Sequence, residues 1–316
     1  MTAIILINWN GADDTIDCLE SLDKAHGSFM VVVADNGSTD NSLERIKQVI
    51  PELSIKVELL PLGRNWGFAA GNNKAIEYAG RFNPDSYLLL NNDTVVEPDF
   101  LVKLNEYREQ CPDIRILGPM VCYWSDRNRI WSCGAHLSFG TRKPLYKNSS
   151  TDVLESREPL KVSFISGCAL FVDSSLVETG CKLLTERFFF GEEDFEFAHR
   201  MRRRGEKMAI IPESVIYHKV GSSAKKMSDR AKLGRDYMYY LGRLIVVREY
   251  YSPFSTLLIR YLSRHRCRSY FIQDGLDKCS AGRLVDRLMY DAGHKDGISY
   301  DDFRSIVIDG TFFDNI

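Results

Sequence analysis

Four short apolar runs near the start of the chain each stop abruptly at a cluster of polar residues, and this pattern most restricts the fold. The runs are Ala3–Ile7, Ser28–Ala34, Ile55–Leu60 and Ser86–Leu90. Amphipathic stretches separate them, predicting helices over Ala12–Ala25, Asn41–Ile50 and around Asn72–Tyr78. Ser38-Thr39-Asp40 supplies N-cap chemistry ahead of the second helix. Glu97-Pro98-Asp99 starts a further helix, with proline at or near its first turn. Strands alternating with helices predict a largely parallel sheet covered by helices, an α/β fold. Tyr87-Leu88-Leu89-Leu90 has no polar alternation, so that strand is buried on both faces.

Such a sheet binds ligands beyond the carboxyl ends of its strands. The polar clusters fall there: Asn8-Trp9-Asn10-Gly11, Asp35 to Asp40, Gly63 to Asn73, and Asn91-Asn92-Asp93. Any one of them is explained by a turn. Four at one edge favour a crevice. Asp35 can accept hydrogen bonds from a ribose hydroxyl or a pyrimidine N–H, and Trp9 offers a stacking face or a core side chain. Gly63 to Asn73 is glycine-rich and enters a helix, so its backbone can approach phosphates closely. It matches neither the P-loop nor the dinucleotide spacing. Asp93, with Asn91 beside it, suits Mg²⁺ or Mn²⁺, or caps a helix.

The second half is mixed. Arg142–Pro159 is polar and predicts a loop, Lys161–Val172 a strand pair or bent strand, and Ala209–Pro212 a strand. Glu193–Arg204 predicts a helix closed by Gly205. Its start, Glu192-Glu193-Asp194, follows Phe188-Phe189-Phe190. Carboxylates at a helix start need no function, but desolvation by neighbouring phenylalanines raises basicity and suits a general base. His218 at a strand end is a metal ligand or a packed side chain.

A formal net charge of -2 gives no reason to expect a nucleic-acid partner, and the basic run Arg200 to Arg204 reads as a solvated helix face. No apolar run reaches the roughly 18 residues that cross a bilayer, and Met1 to Leu6 reads as a strand rather than a signal peptide. The eight cysteines are scattered without a Cys-x-x-Cys pair, which favours reduced thiols and the cytoplasm. Tyr237–Arg266 mixes Tyr, Leu and Ile with arginines. It suits either peripheral contact with the inner face of an anionic membrane or a helix covering the main domain. Residues 267 to 316 carry no pattern that points to a structure.

Six segments, in order, resemble the family 2 glycosyltransferases, which have the nucleotide-sugar-binding GT-A fold, and are most similar to bacterial rhamnosyltransferase-like members. They are Ile5 to Asn10, Val33 to Asp40, Asn65 to Asn73, Leu90 to Asp93, Ser166 to Val172 and Phe190 to Asp194. The resemblance spans residues 2 to 225. It implies a GT-A mixed sheet flanked by helices over 1–225, with a nucleotide-sugar half over 1–120 and an acceptor half over 121–225. A mostly helical extension covers 226–316. The donor site would draw on Asn8, Trp9, Asp35, Asn65, Phe68, Asn72, Asn91, Asn92 and Gly167. Asn91-Asn92-Asp93 stands at the family's Asp-x-Asp metal motif, with asparagine in place of its first aspartate. Asp93 and His218 would hold Mg²⁺ or Mn²⁺, Asp194 would be the catalytic base, and Glu193 its neighbour.

The implied reaction is an inverting transfer of a sugar from dTDP-rhamnose or a UDP-sugar to a glycan or lipid-linked acceptor in polysaccharide biosynthesis. Two rivals differ in class. A sugar nucleotidyltransferase would carry a basic glycine-rich loop after the first strand, and none follows Ile7. A degenerate nucleotide- or glycan-binding module would not require Asp194.

Overall fold

In a computed structural model of the chain, residues 1–177, 182–220 and 228–315 are described. The first half follows the apolar runs. Strands β1 (Thr2–Asn8), β2 (Phe29–Asp35), β3 (Val57–Pro61) and β4 (Ser86–Asn91) lie parallel, with β1 between β2 and β4 and β3 outside β2. The crossovers are α1 (Ala12–Leu22), α2 (Ser42–Val49) and α3 (Phe68–Ala79). Because side chains alternate along a strand, β1 feeds two cores. Ala3 and Ile5 face α3, whereas Ile4 and Leu6 face α1 and α2. Each of these side chains is fully buried, worth about 1.5–3 kcal/mol for the larger ones.

Past β4 the chain makes β5 (Thr94–Val96) and α4 (Phe100–Gln110), then β6 (Ile116–Tyr123), β7 (Asp126–Ser132), and a hairpin of β8 (Ala135–Ser138) with β9 (Thr141–Pro144). Next come β10 (Leu160–Val162), β11 (Ala169–Asp173), α5 (Glu193–Arg203) and β12 (Met208–His218). The main sheet runs β10-β12-β6-β11-β4-β1-β2-β3. β11 is antiparallel to both β4 and β6, which makes the sheet mixed.

Four helices follow, α6 (Asp229–Tyr250), α7 (Pro253–Gln273), α8 (Lys278–His294) and the single turn α9 (Tyr300–Phe303). Tyr237, Leu241, Leu284 and Leu288 belong to the same core as Ile5 and Val32. The helices after 228 therefore share the core of the sheet rather than form a separate one. No helix among the described residues is long and apolar enough to cross a membrane.

Several expected boundaries shift. α3 begins at Phe68, ahead of Asn72, and Pro98 precedes α4 rather than opening it. The stretch 142–159 is not all loop: β9 and a short 3₁₀ turn over Thr151–Leu154 occupy part of it. The strand expected over 209–212 continues through Pro212 to His218, because a register shift between Ile211 and Val215 accommodates the proline. The stretch 237–266 is not one helix. Ser252 accepts a hydrogen bond from the Ser255 N–H, and Pro253 opens α7, so the chain turns between α6 and α7.

Candidate active site

The carboxyl ends of β1, β2 and β4 meet at a cleft of about 750 Å³, lined by Trp9, Asn10, Asp40, Arg45, Phe68 and Asn91-Asn92-Asp93 among others. Trp9 is 46% exposed and presents a free ring. Asn8 and Asp35 lie behind this surface. Asn8 is fully buried and donates to Asp35 Oδ1 at 2.8 Å, while Ser38 donates to the same carboxylate through its N–H and its hydroxyl. Asp35 is 3% exposed, stands just behind the lining residues and is braced by these contacts. Asn10, with φ of 52°, accepts the Thr39 N–H at 2.8 Å and so ties the first two loops together.

The third loop is held by Asn36, a residue the sequence did not single out. Its Nδ2 donates to Asn65 Oδ1 and the Gly67 carbonyl, both at 3.1 Å, and its Oδ1 accepts from the Trp66 N–H at 3.0 Å. Asn65 is thus structural here, and it also accepts from the Gly67 N–H at 2.8 Å. Asn72 is buried and donates to the Phe68 carbonyl. Of the expected donor residues, Trp9, Phe68, Asn91 and Asn92 line the cleft, while Asn8, Asp35, Asn65 and Asn72 hold its walls.

β4 and β12 bring Asp93 and His218 together although 125 residues separate them. His218 Nε2 lies 3.1 Å from both carboxylate oxygens, with hydrogen-bond geometry only to Oδ2. Asp93 Oδ1 and His218 Nδ1 are buried without a hydrogen-bond partner. Burial opposes a charge on His218, but Cys168 and Asp93 at its ring outweigh it and push its pKa up to about 10. Trp131 packs edge-on against the imidazole, with ring centroids 4.5 Å apart. Asn92 donates to Thr15 at 2.9 Å and so fixes the turn between β4 and β5.

Asp194 sits in the first turn of α5, its side chain 18% exposed. Oδ2 accepts from the Gly167 N–H at 3.2 Å, and Oδ1 lies 3.3 Å from Arg142 Nη1. Arg142 comes from β9 and also pairs with Glu192 at 3.1 Å. Glu192 in turn pairs with Arg243 of α6 at 3.3 Å. Two guanidiniums therefore flank a carboxylate whose side chain is 1% exposed. Glu193 differs from both neighbours. Burial, reinforced by Asp194, pushes its pKa up to about 8, and its Oε2 is buried with no hydrogen-bond partner. It is therefore largely neutral near pH 7, while Asp194 has an arginine and a backbone N–H against its two oxygens.

The two polar centres are joined by residues 166 to 168. Gly167 contacts Asp194 on one side, and one residue later the Cys168 carbonyl accepts from the Asn91 N–H at 2.8 Å. Phe68, which lines the donor cleft, packs on Gly167. Asp93 and Phe68 thus line the cleft, and Gly167 links Phe68 to Asp194 beside it.

Arg142, Arg243 and Ile298 were not evident from the sequence as parts of this site. Ile298 exchanges backbone hydrogen bonds at 2.7 Å with Arg187 and Phe189, which fastens the tail to the aromatic run before Asp194. Only the long Tyr- and Arg-rich stretch hinted at Arg243, and nothing in the polar stretch 142–159 marked Arg142.

The family described as Glycosyl transferase family 2 matches residues 3–179. The chain is similar to the N-acetylglucosaminyl-diphospho-decaprenol L-rhamnosyltransferase of Mycobacterium tuberculosis, at 27% identity over 215 residues, covering 62% of this chain and 68% of that protein. It is also similar to the dTDP-rhamnosyl transferase RfbF of Shigella flexneri, at 23% identity over 223 residues, covering 71% and 70%. Among solved structures, GalNAc-T7 with UDP, GalNAc and Mn²⁺ superposes with a TM-score of 0.61 at 16% identity, over 96% of this chain and 56% of that one. With more than half its length matched to one family and its sheet matched to a glycosyltransferase of that fold, the chain belongs to glycosyl transferase family 2 and is a GT-A glycosyltransferase.

Proposed function

We propose that the chain transfers a sugar, with rhamnose favoured, from a nucleotide-diphosphate donor to a hydroxyl of a glycan or lipid-linked acceptor, inverting the anomeric configuration. The observation that carries this is the linkage of two polar centres through residues 166 to 168. Asp93 lines the cleft with His218 against it, and Asp194 contacts Gly167, on which the cleft residue Phe68 packs. The rhamnosyltransferase names of two relatives support the sugar, and dTDP-rhamnose is preferred over a UDP-sugar on that ground. The seven described cysteines are free, which suits the reducing cytoplasm where nucleotide sugars are made.

In this account the exposed ring of Trp9 stacks on the nucleoside, while Asn8 and Asp35 keep its loop in place. Asp93 and His218 fit a divalent cation, because each presents a buried polar atom that no hydrogen bond satisfies, and a cation would take the place of the proton that Cys168 and Asp93 favour on His218. One oxygen and one nitrogen ligand favour Mn²⁺ over Mg²⁺, with remaining positions left to diphosphate oxygens and water. Among the described residues no group of three or more His, Cys, Asp or Glu could hold a metal alone, so the donor itself would complete the coordination. A bound cation would neutralise the departing diphosphate.

Asp194 performs the acid–base step. Arg142 and the Gly167 N–H aim it, and it takes the acceptor proton as that oxygen attacks the anomeric carbon. The attack comes opposite the diphosphate, through an oxocarbenium-like transition state. Glu193, neutral and buried, does not compete for the proton. NMR of the product tests the stereochemistry. The anomeric configuration should be opposite to that of the donor, and retention would overturn the single-displacement mechanism.

A further inference from the structure

Helix α7 carries a surface that glycosyl transfer does not use. Phe254, Leu257, Leu258, Tyr261 and Leu262 are 40–77% exposed, and their spacing places them on one side of the helix over about two and a half turns. A monomer seldom leaves such a ridge uncovered without reason. The turns that follow are cationic, with Arg264, His265, Arg266 and Arg268 exposed and His265 and Arg268 in line with the ridge. The whole helix holds four arginines and no Asp or Glu. Arg264 has Asp286 of α8 as a partner.

The ridge adjoins the acceptor end of the active site. At the tip of the β8–β9 hairpin, Phe139 is 48% exposed, and the Gly140 N–H donates to the Tyr251 hydroxyl at 3.0 Å just before α7. A Cβ at Gly140 would lie 2.8 Å from Ile259, so the hairpin tip rests directly on the first turns of the helix. Two residues beyond Gly140, Arg142 reaches Asp194.

We propose that the α7 ridge together with Phe139 is a docking surface for an anionic membrane. The apolar side chains would enter the acyl boundary and the arginines would meet lipid phosphates, which presents Asp194 to acceptors carried on lipid. The last clause rests on the glycosyltransfer reading above; the membrane contact itself does not. An anionic bilayer fits better than a second copy of the chain, because a second α7 brings the same exposed Arg266 and Arg268 and no carboxylate of its own to answer them.

Flotation of the full chain with phosphatidylglycerol-containing vesicles, against vesicles of phosphatidylcholine alone, tests the surface. The parent protein should float with the anionic vesicles and progressively less as salt is raised. A Leu257→Glu/Tyr261→Glu variant should lose about tenfold or more in partitioning, with its thermal unfolding unchanged because both positions are exposed. An Arg266→Gln/Arg268→Gln variant should lose the preference for anionic lipid while keeping its fold. Failure of the parent to float, or equal flotation of parent and Leu257→Glu/Tyr261→Glu, overturns the proposal. So does a dimer in sedimentation velocity that the same variant disperses while vesicles go unbound. Donor titration of the same preparations separates the two claims. Donor binding without flotation removes only the membrane surface, and flotation without donor binding removes only the transfer reaction.

Discussion

Changing Asp194 to asparagine is expected to lower sugar transfer by about 10²–10⁴-fold, the usual size of a lost general base. Donor binding should stay within about twofold of the parent, because Asp194 lies across residues 166 to 168 from Asp93 and His218. Asparagine keeps the shape and one of the two contacts. Its carbonyl can accept from the Gly167 N–H or from Arg142, but its amide cannot accept from either. The fold should therefore survive with a modest loss of stability. Initial rates measured beside donor affinity distinguish the cases. A parent-like rate would remove Asp194 from the chemistry, and loss of donor affinity along with rate would mean that the variant disturbs the cleft rather than the proton transfer.

The second large effect is on stability. Glu192→Gln is expected to cost about 3–5 kcal/mol of unfolding free energy, because it removes the carboxylate shared by two part-buried guanidiniums. Arg142 retains Asp194, but Arg243 loses the one carboxylate paired with it among the described residues. Glutamine preserves the side-chain length, and it sits no worse than glutamate at the left-handed φ of 67°. Gly242 packs beneath this residue, where a Cβ would meet Glu192 Cβ at 3.3 Å, so the loop and α6 are fitted closely. Denaturant titration reads the change as a lower midpoint at unchanged slope. A change under about 0.5 kcal/mol would mean that the pairs only offset their own desolvation.

The parallel half of the sheet was legible because it obeys local rules. Each apolar run is one strand, buried in β1, β2 and β4 and half-buried in the outer β3, and each polar cluster sits where that strand must end, as at Leu90 to Asp93. His218 was legible through its position at a strand end, although the length of β12 was hidden by Pro212. The contacts that shape the site were less so, because they depend on approach in space. Gly67 shows this well. It has φ of 81°, and a Cβ there would lie 2.2 Å from the Phe189 carbonyl, so only glycine lets the donor loop touch the aromatic run. The sequence shows a glycine but not what lies against it. Arg142 is 52 residues from Asp194 in a stretch that looks like loop, and Ile298 lies in a tail whose pattern is too short to read. Asp35 shows a further limit. Its position after β2 was clear, but not that Asn8 and Ser38 would brace its carboxylate.

The most direct test of the central claim is calorimetric titration of the chain with dTDP and UDP sugars, with and without Mn²⁺, in the parent and in Asp93→Ala. The account predicts selective binding of one nucleotide class, strengthened at least about tenfold by Mn²⁺, and loss of that strengthening in Asp93→Ala. Binding that is indifferent to Mn²⁺ and to Asp93, or no binding of any nucleotide sugar, would contradict a metal-assisted transfer in this cleft.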